Sequence, residues 1–302
     1  MIRILVTGAH GQLGTELARS LEGSAQVFAH GRDTLQVTDA AQIAARVREL
    51  RPDVIVNAAA YTGVDRAETE ESVARAVNAL APALLASEAK RAGALLIHYS
   101  TDYVFDGAKD AAYVEDDATR PLGAYGRTKL EGERAIAASG AAHLVLRTSW
   151  VYGPRGGNFM LTMLRLAQVK DELRIVDDQR GAPTSTLQLA RATLELFTGE
   201  ERSRRITAGD VARLKGASGL YHASAAGETT WFRFAQAIFE ARTRAGIGTP
   251  RLVPITTSEY PTPARRPANS VLSSERLART LGVRIPSWRD GLAEALSALP
   301  AR

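Results

Sequence analysis

The sequence predicts an α/β fold, a doubly wound parallel sheet followed by a smaller α/β lobe, and two patterns carry that prediction. Strand candidates at 2–7, 25–30, 53–58, 95–100 and 143–148 are short, apolar and rich in Val, Ile or Leu, and amphipathic helical stretches separate them. Strands alternating with helices at this spacing form βαβ units and a parallel sheet. Because these strands are apolar throughout, the sheet they form is covered on both faces.

Taken in order, the first strand runs straight into Gly8-Ala-His-Gly11-Gln-Leu-Gly14, a glycine turn that opens a helix. The stretch 40–51 places Ile43, Val47 and Leu50 at i, i+4 and i+7, the stripe of an amphipathic helix. Residues 124–139 are read as a further helix between the fourth and fifth strands. After residue 150 the pattern loosens. Helical signals appear at 158–170, 185–198, 230–245, 273–281 and 288–298, with short strands near 173–176, 220–223 and 251–255. Glycine and proline punctuate this half, as at Gly153-Pro154, Gly156-Gly157, Pro261, Pro263 and Pro267. The expected division is 1–150 for the sheet domain and 151–302 mainly for the second lobe, interleaved with the end of the sheet. Residues 199–218, charged and rich in Gly and Ala, read as a surface loop or a loosely packed insertion.

Composition narrows the functional class. A chain of 302 residues is long for one core, which favours a main domain with a companion. With 45% hydrophobic and 24% charged residues, disordered and collagen-like classes are excluded. No apolar run approaches the roughly 20 residues of a membrane span, so no membrane partner is expected. Ile2-Arg-Ile-Leu-Val6 starts directly as a strand, without the basic and apolar regions of a signal peptide. There is no cysteine, hence no disulfide framework, thiolate nucleophile or Cys-zinc site. A soluble cytoplasmic enzyme is the expectation. The net charge of +5 is scattered and interleaved with acids, as in Asp65-Arg66-Ala-Glu68, and forms no basic stripe for nucleic acid. An anionic small substrate accounts for the surplus equally well.

The glycine turn has G-x-x-G-x-x-G spacing where the dinucleotide fingerprint is G-x-G-x-x-G. The physics is the same: glycines allow close backbone approach, and the helix start offers free N–H groups to a pyrophosphate. Gly8, His10, Gly11, Gln12 and Leu13 are therefore candidate cofactor contacts in a Rossmann-type domain. The second strand ends at His30-Gly31-Arg32-Asp33. An arginine there accommodates the NADP phosphate and an acid binds the NAD ribose, so Arg32 favours NADPH while Asp33 leaves NADH open.

Ser100, Thr101 and Asp102 end the fourth strand at the carboxyl edge, where doubly wound sheets bind ligands. Tyr125 and Lys129 stand at i and i+4 on one helix face. A phenol has a pKa of about 10, and a neighbouring ammonium is expected to lower it. By itself such a pair is common on helix surfaces. Its order after the glycine turn and the small-residue run Asn57-Ala58-Ala59-Ala60 makes it a proton donor aimed at a carbonyl.

Further segments extend the pattern over nearly the whole chain. They run from Val6-Thr-Gly8 to Gly14-Thr-Glu16, through Asn57-Ala-Ala-Ala-Tyr61-Thr with Val64-Asp-Arg-Ala-Glu68, to Tyr99-Ser-Thr-Asp-Tyr-Val-Phe-Asp-Gly107. Tyr125-Gly-Arg-Thr-Lys-Leu-Glu131, Arg147-Thr-Ser-Trp-Val-Tyr-Gly153, Asn158-Phe159, Asp178-Gln-Arg-Gly-Ala-Pro-Thr184 and Arg266-Pro-Ala-Asn-Ser270 follow. Together they resemble the extended short-chain dehydrogenase/reductase superfamily and, within it, the dTDP-4-dehydrorhamnose reductase family. The resemblance implies reduction of the C4 ketone of a dTDP-linked 6-deoxyhexulose to dTDP-L-rhamnose by hydride from NAD(P)H. It makes Thr101, Tyr125 and Lys129 the catalytic trio. It puts Ala58, Ala59, Ala60, Tyr125 and Lys129 with the glycine turn and Arg32 at the cofactor. It sets Thr101, Asp102, Tyr103, Trp150 and Arg266 at the substrate, with the indole of Trp150 on the sugar ring and Arg266 on the diphosphate.

Three departures stand against that pattern. Gln36 occupies a position where the family carries an acid near the adenine, and 199–218 is longer than the family implies. Some members dimerise through Mg²⁺ held by surface glutamates; Glu16 fits one such position but no full ligand set is evident, so no metal is assigned. The expected state is a monomer or homodimer. Two other readings stay open: a 4-ketoreductase or epimerase of another nucleotide-linked deoxysugar, and a non-catalytic NADP-binding regulatory subunit like that of methionine adenosyltransferase.

Overall fold

The central strands are set by burial on both faces, and the computed structural model, which describes residues 1–244 and 248–299, shows how. Every residue of β3 (Val54–Asn57) and β4 (Leu95–Thr101) is buried. With β1 (Arg3–Thr7), β2 (Gln26–His30), β5 (His143–Thr148) and β10 (Gly219–His222) they form a six-stranded sheet in the order β10-β5-β4-β3-β1-β2. All of its pairings are parallel. Alternate residues face opposite cores, as the two-residue strand period requires. Leu5, Ile55, Leu96 and Val145 pack with Ile43, Val47, Leu85 and Ala89 of α2 (Ala40–Leu50) and α5 (Ala81–Ala92). Ile4, Val6, Val56 and Ile97 pack on the other face with Leu17 of α1 (Gln12–Leu21) and Leu189 and Phe197 of α8 (Thr186–Thr198). The chain crosses from one side of β1 to the other between β2 and β3, so a crevice opens beyond the carboxyl ends of β1 and β3.

Two short helices, α3 (Val64–Ala67) and α4 (Glu71–Arg75), lead into a π-helical turn at Ala76–Leu80 that runs on into α5. Between β4 and β5 lies α6 (Ala124–Ser139), the predicted helix of Tyr125 and Lys129. The second half contributes β6 (Val151–Tyr152), α7 (Phe159–Leu166), β7 (Glu172–Val176), β8 (Arg180–Gly181), β9 (Thr184–Ser185), β11 (Thr229–Thr230) and β12 (Arg251–Ile255). These strands pair as β6–β9, β11–β8 and β12–β7 outside the large sheet. Helices α10 (Trp231–Arg244), α11 (Glu275–Leu281) and α12 (Trp288–Ser297) complete the fold. Residue 245, where the expected helix 230–245 ends, and residues 300–302 of the expected second lobe lie outside the described residues.

Residues 199–218 depart from the expected loop. Ala208–Gly216 form a helix, α9, which packs on α8 and buries Val211 and Leu214, with Ile206 joining the same core. The Thr207 hydroxyl accepts from Asp210 N at 3.3 Å while the Asp210 carboxylate accepts from Thr207 N at 2.8 Å, a reciprocal N-terminal cap. Asp210 also pairs with Arg204 at 2.7 Å, which holds its carboxyl well below the usual range. Thr207→Ala is expected to lower stability by about 1 kcal/mol. Urea unfolding would show this as a lower midpoint at unchanged slope; an unmoved midpoint contradicts it. Among the described residues no helix is long and apolar enough to cross a membrane.

Candidate active site

The glycine turn lies at the crevice. Gly8 has φ +70°, and a Cβ there would come within 2.6 Å of Ala59 N. A Cβ on Gly14 would lie 2.1 Å from Gly8 O, so only glycine lets α1 start this close to β1. Gly11 caps α1 without a side-chain bond and the first turn carries no acid, which leaves its N–H groups open to an anion. A cleft of about 600 Å³ extends from this turn, lined by Gly8, His10, Gly11, Arg32, Gln36 and Ala58–Ala60. These residues fit a dinucleotide: backbone donors at one end, small side chains along the floor, and an exposed arginine at the other end. Asp33 turns to His10 at 3.3 Å. Gln12 and Leu13 line a second cleft of about 400 Å³, next to the first.

That second cleft also holds Thr101, Asp102, Tyr103, Tyr125, Lys129 and Trp150. Helix α6 is fixed at its start by Glu68, whose carboxylate accepts from Ala124 N at 2.8 Å. Asn78, in the π turn, binds Tyr61 N at 2.9 Å and Thr128 Oγ1 at 3.3 Å, holding the same helix from the side. Thr101 Oγ1 donates to Asp102 Oδ1 at 2.9 Å, accepts from Tyr103 N at 3.2 Å, and is hydrogen-bonded to Tyr125. Tyr103 packs edge-on to Tyr125 with ring centroids 5.6 Å apart. Lys129 is buried, and its Nζ donates to the Tyr99 carbonyl at 2.6 Å.

The expected lowering of the Tyr125 pKa is reversed. Burial pushes the phenol up to about 12; the hydrogen bond with Thr101 opposes the rise and the charge of Asp102 adds to it. Spacing along a helix reveals the neighbouring lysine but not the loss of water, and the loss of water is the larger effect. Burial brings the Lys129 ammonium down to about 8, with Glu133 acting against it. Burial also raises the Asp102 carboxyl to about 6, against the hydrogen bonds from Ser270 and Thr101.

Trp150 has φ 48°, an unusual conformation for a bulky residue that costs of the order of 1–2 kcal/mol. The backbone turn aims the indole into the cleft, where one face stacks on Trp231 at 3.6 Å and 7°. That face is therefore covered by protein. Trp231 is the shared wall between this cleft and an apolar groove of about 360 Å³ lined by Phe159, Met163, Leu166, Ile175, Tyr260 and Arg266. Arg266 is half-buried at the groove and paired with Asp65 at 2.8 Å. Glu16, the glutamate matched to a Mg²⁺ position, is buried and engaged by Arg155. Among the described residues no group of three or more His, Cys, Asp or Glu could hold a metal ion.

Two residues beside the expected site escape a reading of sequence. Trp231 stands at the start of an ordinary amphipathic helix, and nothing local connects it to Trp150. His98 is a lone histidine in an apolar strand, the usual mark of a core residue, yet its Nε2 lies 3.2 Å from Lys129 Nζ.

Comparison with known proteins identifies the family. The family model described as the RmlD substrate binding domain matches residues 2–300. A dTDP-4-dehydrorhamnose reductase of Burkholderia thailandensis is 47% identical over 95% of this chain and 96% of its own. The dTDP-4-dehydrorhamnose reductase of Escherichia coli is 42% identical over 99% of this chain and 98% of its own. A crystal structure of the dTDP-4-dehydrorhamnose reductase of Bacillus anthracis in complex with NADP superposes with a TM-score of 0.88 at 32% identity, covering 98% of this chain and 99% of that one. The chain belongs to the RmlD family of dTDP-4-dehydrorhamnose reductases.

Proposed function

We propose that this protein is a cytoplasmic NADPH-dependent reductase that converts the C4 ketone of dTDP-4-dehydrorhamnose to the alcohol, giving dTDP-L-rhamnose. The observation that carries the proposal is one cleft lined jointly by the start of α1 and by Thr101, Tyr125, Lys129 and Trp150. The names of the relatives at 42–47% identity support the substrate. The NADP in the Bacillus anthracis structure and the exposed Arg32 at the first cleft support the cofactor.

When bound, the nicotinamide supplies a hydride. The chain's own residues do the rest. Tyr125 is protonated throughout the neutral range because its phenol is raised to about 12, and it remains a stronger acid than the alcohol whose alkoxide it protonates. Thr101, tied to Asp102 and to Tyr103 N, holds the Tyr125 hydroxyl in place and orients the carbonyl oxygen once its proton turns from Asp102 to the substrate. Lys129 offers a buried ammonium to the developing charge on Tyr125. The free part of Trp150 offers an apolar surface to the deoxysugar. The apolar groove beyond Trp231 suits the thymine nucleoside, with Arg266 at the diphosphate once it exchanges Asp65 for phosphate oxygens.

The test is incubation with dTDP-4-keto-6-deoxyhexulose, a 3,5-epimerase, and NADPH or NADH in parallel. NADPH absorbance is expected to fall in proportion to dTDP-L-rhamnose formed; no loss with either nucleotide contradicts the proposal, and turnover without net loss would indicate an epimerase instead. Arg32→Ala is expected to raise the KM for NADPH about tenfold, the low end of a charge-assisted phosphate bond at an exposed site. The KM for NADH should not change, and an equal effect on both nucleotides would refute the role of Arg32.

A further inference from the structure

Strand register sets three polar side chains in a row beneath the cleft. Thr7 pairs with Asn57 and Asn57 with His98 across β1, β3 and β4. Thr7 Oγ1 donates to Asn57 Oδ1 at 2.7 Å, and Ala59 N donates to the same atom at 3.1 Å. A backbone N–H can only donate, so the atom it meets is the amide oxygen and the amino group of Asn57 faces His98. That amino group lies 2.9 Å from His98 Nδ1. Nδ1 therefore accepts and carries no proton.

His98 is fully buried, and burial together with the nearby Lys129 holds its pKa well below the usual histidine value. It is neutral, and a neutral imidazole with a bare Nδ1 carries its hydrogen on Nε2. This Nε2–H meets Lys129 Nζ at 3.2 Å. An ammonium has only donors, so it confronts the imidazole N–H with like dipoles; an amine has a lone pair that accepts the bond. Among the described residues the groups facing Lys129 are accounted for. On α6, Tyr125 stands one turn earlier and lines the same cleft, and Glu133 is already taken by Arg147 of β5 at 2.7 Å. From β4 they are His98 and the Tyr99 carbonyl, and Asp102 lines the same cleft.

We propose that His98, locked by Asn57 in its Nε2–H tautomer, is a positioning residue that anchors Lys129 and, by stabilising the amine left behind, makes the Lys129 ammonium a readier proton donor. It follows that Lys129 yields a proton readily. After Tyr125 has protonated the alkoxide, a proton leaves Nζ and neutralises the phenolate oxygen. Nζ keeps the electron pair as a lone pair that takes the His98 hydrogen bond, and solvent water later returns a proton to it. No electrons are exchanged. The proposal rests on the reading of Tyr125 and Lys129 as the proton-transfer pair, but its first test does not depend on activity.

That test is ¹⁵N NMR of the imidazoles in the full-length protein without substrate. His98 is expected to show a bare Nδ1 and a protonated Nε2, unchanged from about pH 5 to pH 9. A protonated Nδ1, alone or in an imidazolium, would overturn the proposal. The second test is His98→Leu, which removes the donor and favours the ammonium. The alkaline fall of kcat is expected to move up by about one pH unit, a tenfold change in the lysine equilibrium. Turnover at neutral pH should fall about tenfold, with the KM for NADPH within twofold. His98→Gln, which keeps an N–H donor, should recover most of the turnover. A folded His98→Leu protein with an unmoved alkaline limb would overturn the proposal, and if that variant does not fold the tautomer alone decides. A wild-type protein that consumes no NADPH would instead count against the proposed function.

Discussion

Tyr125→Phe is expected to lose about 10²- to 10⁴-fold of kcat, the range spanned by a positioned proton donor, while NADPH binding stays within twofold. The variant removes one oxygen from a ring that otherwise keeps its packing against Tyr103. What it removes is the phenol hydroxyl that is hydrogen-bonded to Thr101 in the cleft Lys129 also lines. Cofactor binding should survive because the glycine turn and Arg32, in the neighbouring cleft, are untouched and phenylalanine keeps the ring at 125. Steady-state turnover with fluorescence titration of NADPH separates the two effects. Turnover within threefold of wild type would mean that another group delivers the proton.

Arg147→Met should produce the largest loss of stability, about 3–5 kcal/mol, because it strands a buried carboxylate. Arg147 on β5 meets Glu133 on α6 through a bidentate pair, Nε to Oε1 at 2.9 Å and Nη2 to Oε2 at 2.7 Å. Both side chains are under a tenth exposed, and the guanidinium also lies over the Phe105 ring at 5.0 Å. Methionine keeps part of the packing volume but leaves Glu133 without its partner. Against a typical total of about 5–15 kcal/mol, such a loss is a large fraction. The double variant Arg147→Met, Glu133→Leu should regain most of it, since an apolar pair carries no desolvation cost. Chemical unfolding decides: a loss under about 1 kcal/mol for the single variant would contradict this account of the pair.

The sheet was open to reading because four of its first five strands are short apolar runs that burial on both faces demands, while β2, at the sheet edge, is only partly buried. The Tyr125–Lys129 pair was equally open, since a helical period alone puts the two on one face. Helix α9 could have been found from the Thr207 and Asp210 spacing, a cap signal obscured by the charged residues around it. His98 could not, because its meaning depends on the register of three strands drawn from positions far apart in the chain. Trp231 is hidden for the same reason: its stacking on Trp150 joins α10 to the end of β5 through tertiary packing alone. The direction of the Tyr125 shift also lay out of reach, since sequence neighbours show charges while only the fold shows how much water is excluded.

The central claim is that a hydride passes from the nicotinamide to the sugar C4 with Tyr125 supplying the proton. Its most direct test is turnover with NADPH deuterated at the transferable C4 position, followed by NMR of the sugar product. The expected result is one deuterium at C4 of the rhamnosyl group, one oxidised cofactor per product, and no labelled product from Tyr125→Phe on the same timescale. Product without deuterium at C4, or labelled product formed at the wild-type rate by Tyr125→Phe, would contradict it.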